Sequence, residues 1–420
     1  MAAFAPPPGT ADIFDAEARI WRLLENSAAE VFSGFGYGEL RTPIFEYTEV
    51  FQRGLGGETE VVQKEMYTFQ DRGGRSLTLR PEGTAGVMRA LTNTDVYNGT
   101  EQKVFYCGPM FRGERPSAGR RRQFHQIGVE NVGHCAPLID AECIAMLHRY
   151  LTVIGIEGAK FTINTRGVAE DRAPAEAVLR DYFSKHIENM CPDCRTRLER
   201  NIWRILDCKQ EDCRKIIADA PDYVASFTPE SREYFEDVKS ALDMLGVPYQ
   251  VDSKLVRGLD YYVHTVFEVT HPGLSEQIAI AGGGRYELFL PGEKRPLPGV
   301  GFAAGVERLL LVREALNVPP PPPPAAGVYL VGLGKEARMA NLVLAQELRS
   351  KGIKVELELE ERSFKAQMRG ANRSGAALAV LRGENELNSH IAVVKDMSNG
   401  DQSEIPENGL AEYLIRNISK

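Results

Sequence analysis

The spacing of hydrophobic positions changes repeatedly along the chain, and each change marks a different kind of structure. Ile20, Leu23, Leu24, Ala28, Val31 and Phe32 fall on one helical face, which predicts an amphipathic helix. Gly34 to Gly38 ends it, and Leu40 to Phe45 reads as a strand, at an edge or irregular because Pro43 brings no ladder donor. Short β-rich runs follow at Glu65 to Phe69, Ser76 to Leu79, Val104 to Phe111 and Gln123 to Asn131. Turn signals such as Asp71-Arg72-Gly73-Gly74 separate them, so an antiparallel sheet is expected. From about Ala169 to Gly246 the pattern becomes polar and helical, then sheet-like runs resume at Tyr249, continue to Phe302 and lead into a helix to Leu316. The middle block therefore reads as an insertion into the first domain.

Six successive prolines, Pro319 to Pro324, fit neither a helix nor a central strand. They predict a stiff polyproline II spacer of roughly 19 Å at ~3.1 Å per residue, read as a linker rather than a ligand for a proline-binding domain. Beyond it, strands at Gly327 to Leu333, Val355 to Leu359, Ala376 to Leu381 and His390 to Lys395 alternate with helices. Those helices run over Lys335 to Lys351, Ser363 to Arg373 and Leu410 to Ile418, and the pattern predicts a small, mostly parallel α/β domain. Gly332-Leu333-Gly334 is too short a match to a dinucleotide loop to count as one. The expected fold class is α+β. Its parts are a first domain over residues 1–168 and 247–318, a helical insertion over 169–246, a linker over 319–324 and a last domain over 325–420.

A length of 420 residues suits about three domains. With 43% hydrophobic and 26% charged residues, a largely disordered chain is excluded. No run approaches a membrane span, and the start of the sequence lacks the progression of a secretory signal. Net charge is −8, and all of it lies before the last domain, where 13 basic and 13 acidic side chains balance. That excludes attachment to nucleic acid by overall charge and leaves room for a local basic strip. Seven cysteines suit a reduced cytosol better than a disulfide framework.

Such a strip exists. Arg112, Arg115, Arg120, Arg121 and Arg122 lie within the eleven residues that join two expected antiparallel strands, and Phe124 follows. Guanidinium forks match phosphate oxygens and an aromatic face suits a base; the alternative is a solvated hairpin tip. Arg80-Pro81-Glu82-Gly83-Thr84 sets a carboxylate and a hydroxyl at a strand end, either to grip an ammonium group or with Thr84 as an ordinary helix cap. Leu255 to Tyr262 places Arg257 beside Tyr261 and Tyr262, and Gly282-Gly283-Gly284-Arg285-Tyr286 permits close backbone approach to a ligand. Both also suit tight turns with core tyrosines. Gly299 to Arg308 is a small-residue strand passing into a helix, where an anion would be favoured. None of these segments has the spacing of a Walker loop, a Ser/His/Asp arrangement or a His/Glu metal site.

In this order, and together with Gly54 to Thr59, Lys64 to Phe69 and Val394 to Met397, these segments resemble the bacterial histidyl-tRNA synthetases, which are class II aminoacyl-tRNA synthetases. The arginine loop is similar to motif 2 of that class and the segment ending at Arg308 to motif 3. The first helix and Pro43 segment are similar to motif 1, which lies at the dimer interface in the class. The segments at Arg257 to Tyr262 and Gly282 to Tyr286 point to histidine.

The resemblance implies a cytoplasmic homodimer, free of membranes. It would activate L-histidine with ATP and Mg²⁺ to histidyl-adenylate, then charge the 3′ end of tRNA(His). Arg112, Arg257 and Arg308 are the catalytic residues implied. Arg112 and Arg257 would hold the α-phosphate and Arg308 the γ-phosphate end, with Phe124 on the adenine, Glu114 near its amino group and Arg120 also on ATP. Glu82, Thr84 and Gln126 would bind the histidine ammonium, and Glu130 and Tyr262 would bracket the imidazole. Tyr261 and Tyr286 would complete the pocket. The last domain would read the anticodon and the insertion would lie beside the acceptor arm. The rivals are a non-catalytic paralogue that regulates ATP phosphoribosyltransferase and a class II synthetase for proline, threonine or glycine.

This sequence departs from the family pattern at Gly113, Arg121, Glu287-Leu288-Phe289 and Gly370. Cys191, Cys194, Cys208 and Cys213 lie within 23 residues at a spacing that could hold Zn²⁺. Relatives are generally described without an essential metal there, so unbound reduced thiols are the expectation. His125 and His264 are expected to pack or hydrogen-bond rather than act as bases.

Overall fold

The computed structural model describes residues 5–55, 61–257, 261–274, 278–289 and 295–418. Most of the Gly54 to Thr59 segment, and Gly258, Leu259 and Asp260 of the Arg257 segment, lie outside them. The chain divides into two compact units, Met1–Pro321 and Pro322–Lys420.

In the first unit, α1 (Asp15–Gly34) buries Trp21, Leu24, Ala28 and Phe32, with Ile20, Leu23 and Val31 half-buried at the margin of that face. The strand expected over Leu40 to Phe45 is instead two short pieces, β1 (Gly38–Glu39) and β2 (Phe45–Tyr47). Pro43 supplies no N–H. In addition, the buried Arg80 side chain takes acceptors a ladder would use, donating to Thr42 O at 3.0 Å and to Pro109 O at 2.8 Å. After α2 (Thr48–Leu55), Val61–Glu65 winds into a π-helical turn, so the strand expected from Glu65 starts later as β3 (Thr68–Gln70). A hairpin turn leads to β4 (Ser76–Leu79). The Asp71 carboxylate accepts from the backbone of Gly73 and Arg75, at 2.8 and 2.9 Å, and Gly74 takes φ +76°. Strands β2, β4 and β3 form a separate three-stranded antiparallel sheet.

The chain continues through α3 (Thr84–Leu91), β5 (Gln102–Phe111), β6 (Gln123–Val132), α4 (Pro137–Val153) and β7 (Lys160–Thr165). The polar block forms α5 (Ala169–His186), α6 (Pro192–Arg200), α7 (Glu211–Ala218) and α8 (Pro229–Met244). Then come β8 (Gln250–Val251), β9 (Tyr262–Thr270), β10 (Ala281–Leu288), β11 (Leu297–Gly305) and α9 (Val306–Ala315). Eight strands make one sheet in the order β1-β5-β6-β11-β10-β9-β7-β8. It is antiparallel except at its two outermost pairs, β1 with β5 and β7 with β8. Its main core joins α1, α4 and α9 through Leu24, Phe32, Ile144, Leu147, Phe302 and Leu309. Val87 and Met88 of α3 pack instead with Tyr106, Tyr262 and Tyr286, in a cluster on the side where the cavity opens. Helices α5, α6 and α7 share a small core of their own around Leu179, Phe183, Ile205 and Tyr223, whereas Phe235, Val238 and Leu242 of α8 join the main core.

One contact locks these layers together. Arg285 of β10 and Asp140 of α4 are both fully buried and meet at 2.6 Å. Asp140 also accepts from Thr265 Oγ1 of β9 at 2.6 Å and from the Tyr234 hydroxyl of α8 at 3.0 Å, while Arg285 donates to His134 O at 2.8 Å.

In the second unit, β12 (Val328–Gly332), α10 (Lys335–Ser350), β13 (Val355–Leu357), α11 (Phe364–Ser374), β14 (Leu378–Arg382), α12 (Glu384–Asn388), β15 (Ile391–Asp396), β16 (Gln402–Pro406) and α13 (Leu410–Ile418) follow one another. The sheet order is β13-β12-β14-β15-β16. Its first three strands are parallel and the last two pairings antiparallel, so the sheet is mixed rather than mostly parallel. The additional β16 is nearly all exposed and carries no apolar alternation to announce it. At Gly370, a Cβ would overlap the Tyr329 hydroxyl, so this sheet has filled the space a larger residue would need.

Removing one partner of the buried pair leaves a charge without compensation, at a cost of about 3–5 kcal/mol. Asp140→Ala should therefore lower the stability of the first unit by that order, read from thermal and urea unfolding. A loss below about 1 kcal/mol, the scale of an exposed pair, would contradict this role for the contact.

Candidate functional site

Strand β6 carries the site by simple alternation. Ile127 and Val129 enter the main core, while Phe124, Gln126 and Glu130 line a cavity of about 870 Å³ on the other face. All thirteen side chains expected to bind histidine or ATP line this one cavity. Besides those three they are Glu82, Thr84, Arg112, Glu114, Arg120, Arg257, Tyr261, Tyr262, Tyr286 and Arg308.

At the deep end, Glu130 accepts a 2.7 Å hydrogen bond from the Tyr286 hydroxyl and another from Thr84 Oγ1, also at 2.7 Å. Gly301 on the neighbouring β11 makes room, since a Cβ there would overlap the Glu130 carboxylate. Thr84 is therefore not the cap of α3. That task falls to Glu82, whose carboxylate accepts from the backbone N–H groups of Thr84 at 2.6 Å and Ala85 at 2.8 Å. Gln126 Oε1 is buried without a hydrogen-bond partner, as a group waiting for a ligand donor would be.

The arginines line the less buried part of the cavity. Arg112 donates to Pro81 O at 2.9 Å and lies over the Phe124 ring at 5.2 Å. Arg257 pairs with Glu268 at 2.8 Å, against Gly282, where a Cβ would press on the guanidinium. Arg308 donates to Gly119 O at 3.0 Å and to Ala279 O at 2.5 Å. Glu114 stands between two of the cations, 3.8 Å from Arg112 and 3.6 Å from Arg120. The hairpin tip that supplies them closes through paired backbone bonds between Ser117 and Arg120, with Gly119 at φ +69°. Gly113 approaches the backbone closely, its N–H donating to Glu65 O at 2.7 Å.

Burial governs the electrostatics. It pushes the Glu130 carboxyl up to about 8, against the hydrogen bonds from Thr84 and Tyr286, and the nearby Glu82 adds to the rise. Burial also raises Glu82. For Arg257 burial works against the charge, but Tyr262 and Glu268 outweigh it and hold the pKa above its ordinary value. Arg308 is lowered, by burial first and then by the neighbouring Arg120. A cavity with cations at one end and two buried carboxyls at the other suits a ligand that is anionic on one side and a hydrogen-bonding donor on the other.

Sequence reasoning missed Glu268, which braces Arg257, and Tyr106, whose ring lies against Gly83 and Gly128. Glu268 lies within a plain strand pattern that carries no local signal. His125 hydrogen-bonds Glu307 at 3.1 Å beside Trp21, and His264 stacks on Tyr234 at 3.9 Å with its pKa lowered by burial to about 4. Both make packing contacts, as expected. From the helical block, Arg204, Asp207, Cys208, Lys209 and Arg214 reach the cavity wall, and Cys191, Cys194, Cys208 and Cys213 come together with all four sulfurs within 4.8 Å.

Comparison with known proteins agrees in both units. A family model described as histidyl-tRNA synthetase matches residues 9–309, and one described as an anticodon binding domain matches 327–417. A histidine–tRNA ligase of Halothermothrix orenii is 46% identical over 410 residues, covering 97% of this chain and 98% of that protein. One from a Geobacillus species is 43% identical over 422 residues, covering 99% and 100%. The crystal structure of apo Staphylococcus aureus histidyl-tRNA synthetase superposes with a TM-score of 0.81 at 36% identity, covering 98% of this chain and 99% of that one.

The raised Glu130 links stability to pH. Its folded pKa of about 8 lies above the ordinary 4.5, so the stability its proton confers is complete below about 4.5 and is lost as pH rises through about 8. Glu130→Gln keeps a neutral group there. It should raise the melting temperature of the ligand-free protein at pH 8 while having a much smaller effect at pH 5. A difference that does not change with pH would contradict the buried, protonated carboxyl.

Proposed function

The chain belongs to the histidyl-tRNA synthetase family and ligates histidine to tRNA; on that premise we propose that the cavity on β6, β9 and β10 is where both steps occur. The observation that carries the assignment is the shared cavity itself. Glu130, with its Tyr286 and Thr84 hydroxyls, faces the same space as Arg112, Arg257 and Arg308.

In the first step an oxygen of the histidine carboxylate attacks the α-phosphorus of ATP. The bond from that phosphorus to the bridging oxygen breaks, and pyrophosphate leaves. Such a displacement needs positioning and charge stabilisation more than a general acid. Arg112 and Arg257 are assigned to the α-phosphate and Arg308 to the γ end. Each carries five N–H donors, more than its protein partners take up. Phe124 offers its face to the adenine, beside Glu114 and Arg120. Mg²⁺ entering with ATP suits the hard oxygens of Glu65 and Glu268 on the same wall, and would offset phosphate charge. In the second step the terminal ribose hydroxyl of tRNA(His) attacks the histidyl carbonyl carbon, and AMP leaves.

Selection of histidine rests on the deep end. Glu130, Tyr262 and Tyr286 surround the imidazole, while Glu82, Thr84 and Gln126 take the ammonium and Tyr261 packs behind. A carboxyl with a pKa near 8 can share a proton with an imidazole in either direction. An amino acid lacking the ring nitrogens would leave these buried groups unpaired, a penalty that can reach about 10⁴–10⁵ in discrimination. A purely regulatory paralogue is disfavoured by the intact Arg257 site and by the second unit, which we assign to the anticodon of tRNA(His).

The homodimer assignment is supported by Ile44, Phe45, Tyr47, Tyr67 and Phe69, large apolar side chains exposed in or beside the three-stranded sheet. A cytoplasmic location fits seven cysteines of which none is in a disulfide. No helix among the described residues is long and apolar enough to cross a membrane. Arg257→Ala should slow histidine-dependent ATP–pyrophosphate exchange by ~10²-fold or more while leaving the protein folded and dimeric in sedimentation. Near-normal exchange would remove Arg257 from its assigned role.

A further inference from the structure

We propose that Cys191, Cys194, Cys208 and Cys213 form a tetrahedral Zn²⁺ site that fixes a basic lip, Arg204, Lys209 and Arg214, at the wall of the catalytic cavity. The ligands come from both sides of a short loop. Cys191 precedes α6 and Cys194 lies in its first turn, Cys208 follows the turn at Ile202–Ile205, and Cys213 lies on α7. The spacing is Cys-x₂-Cys followed by Cys-x₄-Cys, within the range of structural zinc sites.

The geometry favours a metal over the reduced, unbound thiols that the sequence led us to expect. Four sulfurs lie within 4.8 Å of one another, three of their residues are buried and the fourth is half-buried. Cys191 Sγ and Cys208 Sγ are 3.8 Å apart. A tetrahedron with zinc–sulfur bonds of ~2.3 Å has edges of about 3.8 Å. A disulfide would bring two sulfurs to about 2.0 Å instead, and all four cysteines are free. The Cys191 N–H donates to Cys213 Sγ at 3.2 Å, the kind of outer hydrogen bond that steadies a thiolate ligand. Helices α5, α6 and α7 have only a small core of their own, and a metal is a common staple for such a unit.

Position gives the metal a consequence for function. Cys208 lies between Asp207 and Lys209, and all three line the cavity with Leu206, Arg204 and Arg214. Ligation of Cys208 and Cys213 therefore fixes the backbone that carries these cations. Their charge suits the phosphates of an entering tRNA 3′ end. This last assignment rests on the ligase reading; the metal site does not.

The test uses the full-length, untagged chain, purified under reducing conditions from zinc-supplemented medium. Elemental analysis should find about one zinc per chain, and cobalt exchange should give the intense visible absorption of a tetrahedral cobalt thiolate. Cys194→Ser and Cys213→Ser should lose the metal, whereas Cys135→Ser, at an exposed cysteine outside the cluster, should keep it. Chelation of the wild-type chain should then lower tRNA charging about tenfold while histidine-dependent pyrophosphate exchange is largely kept. Substoichiometric zinc with no cobalt thiolate spectrum in the wild-type protein would overturn the site, whether or not the serine variants fold. Equal loss of both activities on chelation would overturn the lip. Zinc in a protein that activates no amino acid would instead sink the ligase reading and leave the metal site standing.

Discussion

The ion pair between Arg285 and Asp140 is the contact on which the catalytic unit is organised. Both groups are excluded from water, so their desolvation must be offset by their mutual attraction and by the hydroxyls of Thr265 and Tyr234. Burial pushes the Asp140 carboxyl up, while the attraction of Arg285, which does not surrender its proton, and the hydrogen bonds from Arg285, Thr265 and Tyr234 favour its charged form. Because side chains alternate along a strand, holding Arg285 under the sheet holds Tyr286 above it, where its hydroxyl meets Glu130. The same pair joins β10 to α4, α8 and β9. The shape of the cavity around Glu130 is thereby transmitted from the core.

In the proposed histidine pocket, function and stability pull against each other at Glu130. Folding places this carboxyl close to Glu82, in a site walled by Gly301 and four tyrosines, where its charged form is disfavoured. A chain selected only for stability would fill that space with an apolar side chain. Retaining the carboxyl makes sense if a ligand supplies the missing partner. The arginines pose the opposite problem, and the structure answers it by bracing each one. Pro81 O holds Arg112, Glu268 holds Arg257, and two loop carbonyls hold Arg308, so little reorganisation is left in the catalytic role proposed for them.

Much of this was legible in the sequence, for physical reasons that can be named. The strands β5 and β6 announce themselves by length and flanking arginines, and the period of two in β6 sorts Phe124, Gln126 and Glu130 from Ile127 and Val129. The family resemblance supplied the roles that spacing alone left open. Other features depend on contacts distant in sequence. The interruption at Leu40 to Ile44 reflects acceptors taken by Arg80, and the bracing of Arg257 by Glu268 crosses from a loop to a strand. The strand β16 has no buried face to read. The four cysteines were visible as a spacing, but that they converge required the fold of α6 and α7 around the intervening turn.

The most direct test of the central claim is ATP–pyrophosphate exchange by the purified chain, with each of the twenty amino acids offered separately in the presence of Mg²⁺. Exchange with histidine alone is expected, because an imidazole is the side chain that pairs the groups around Glu130 in the proposed pocket. Exchange with another amino acid at a comparable rate, or none with histidine, would contradict it.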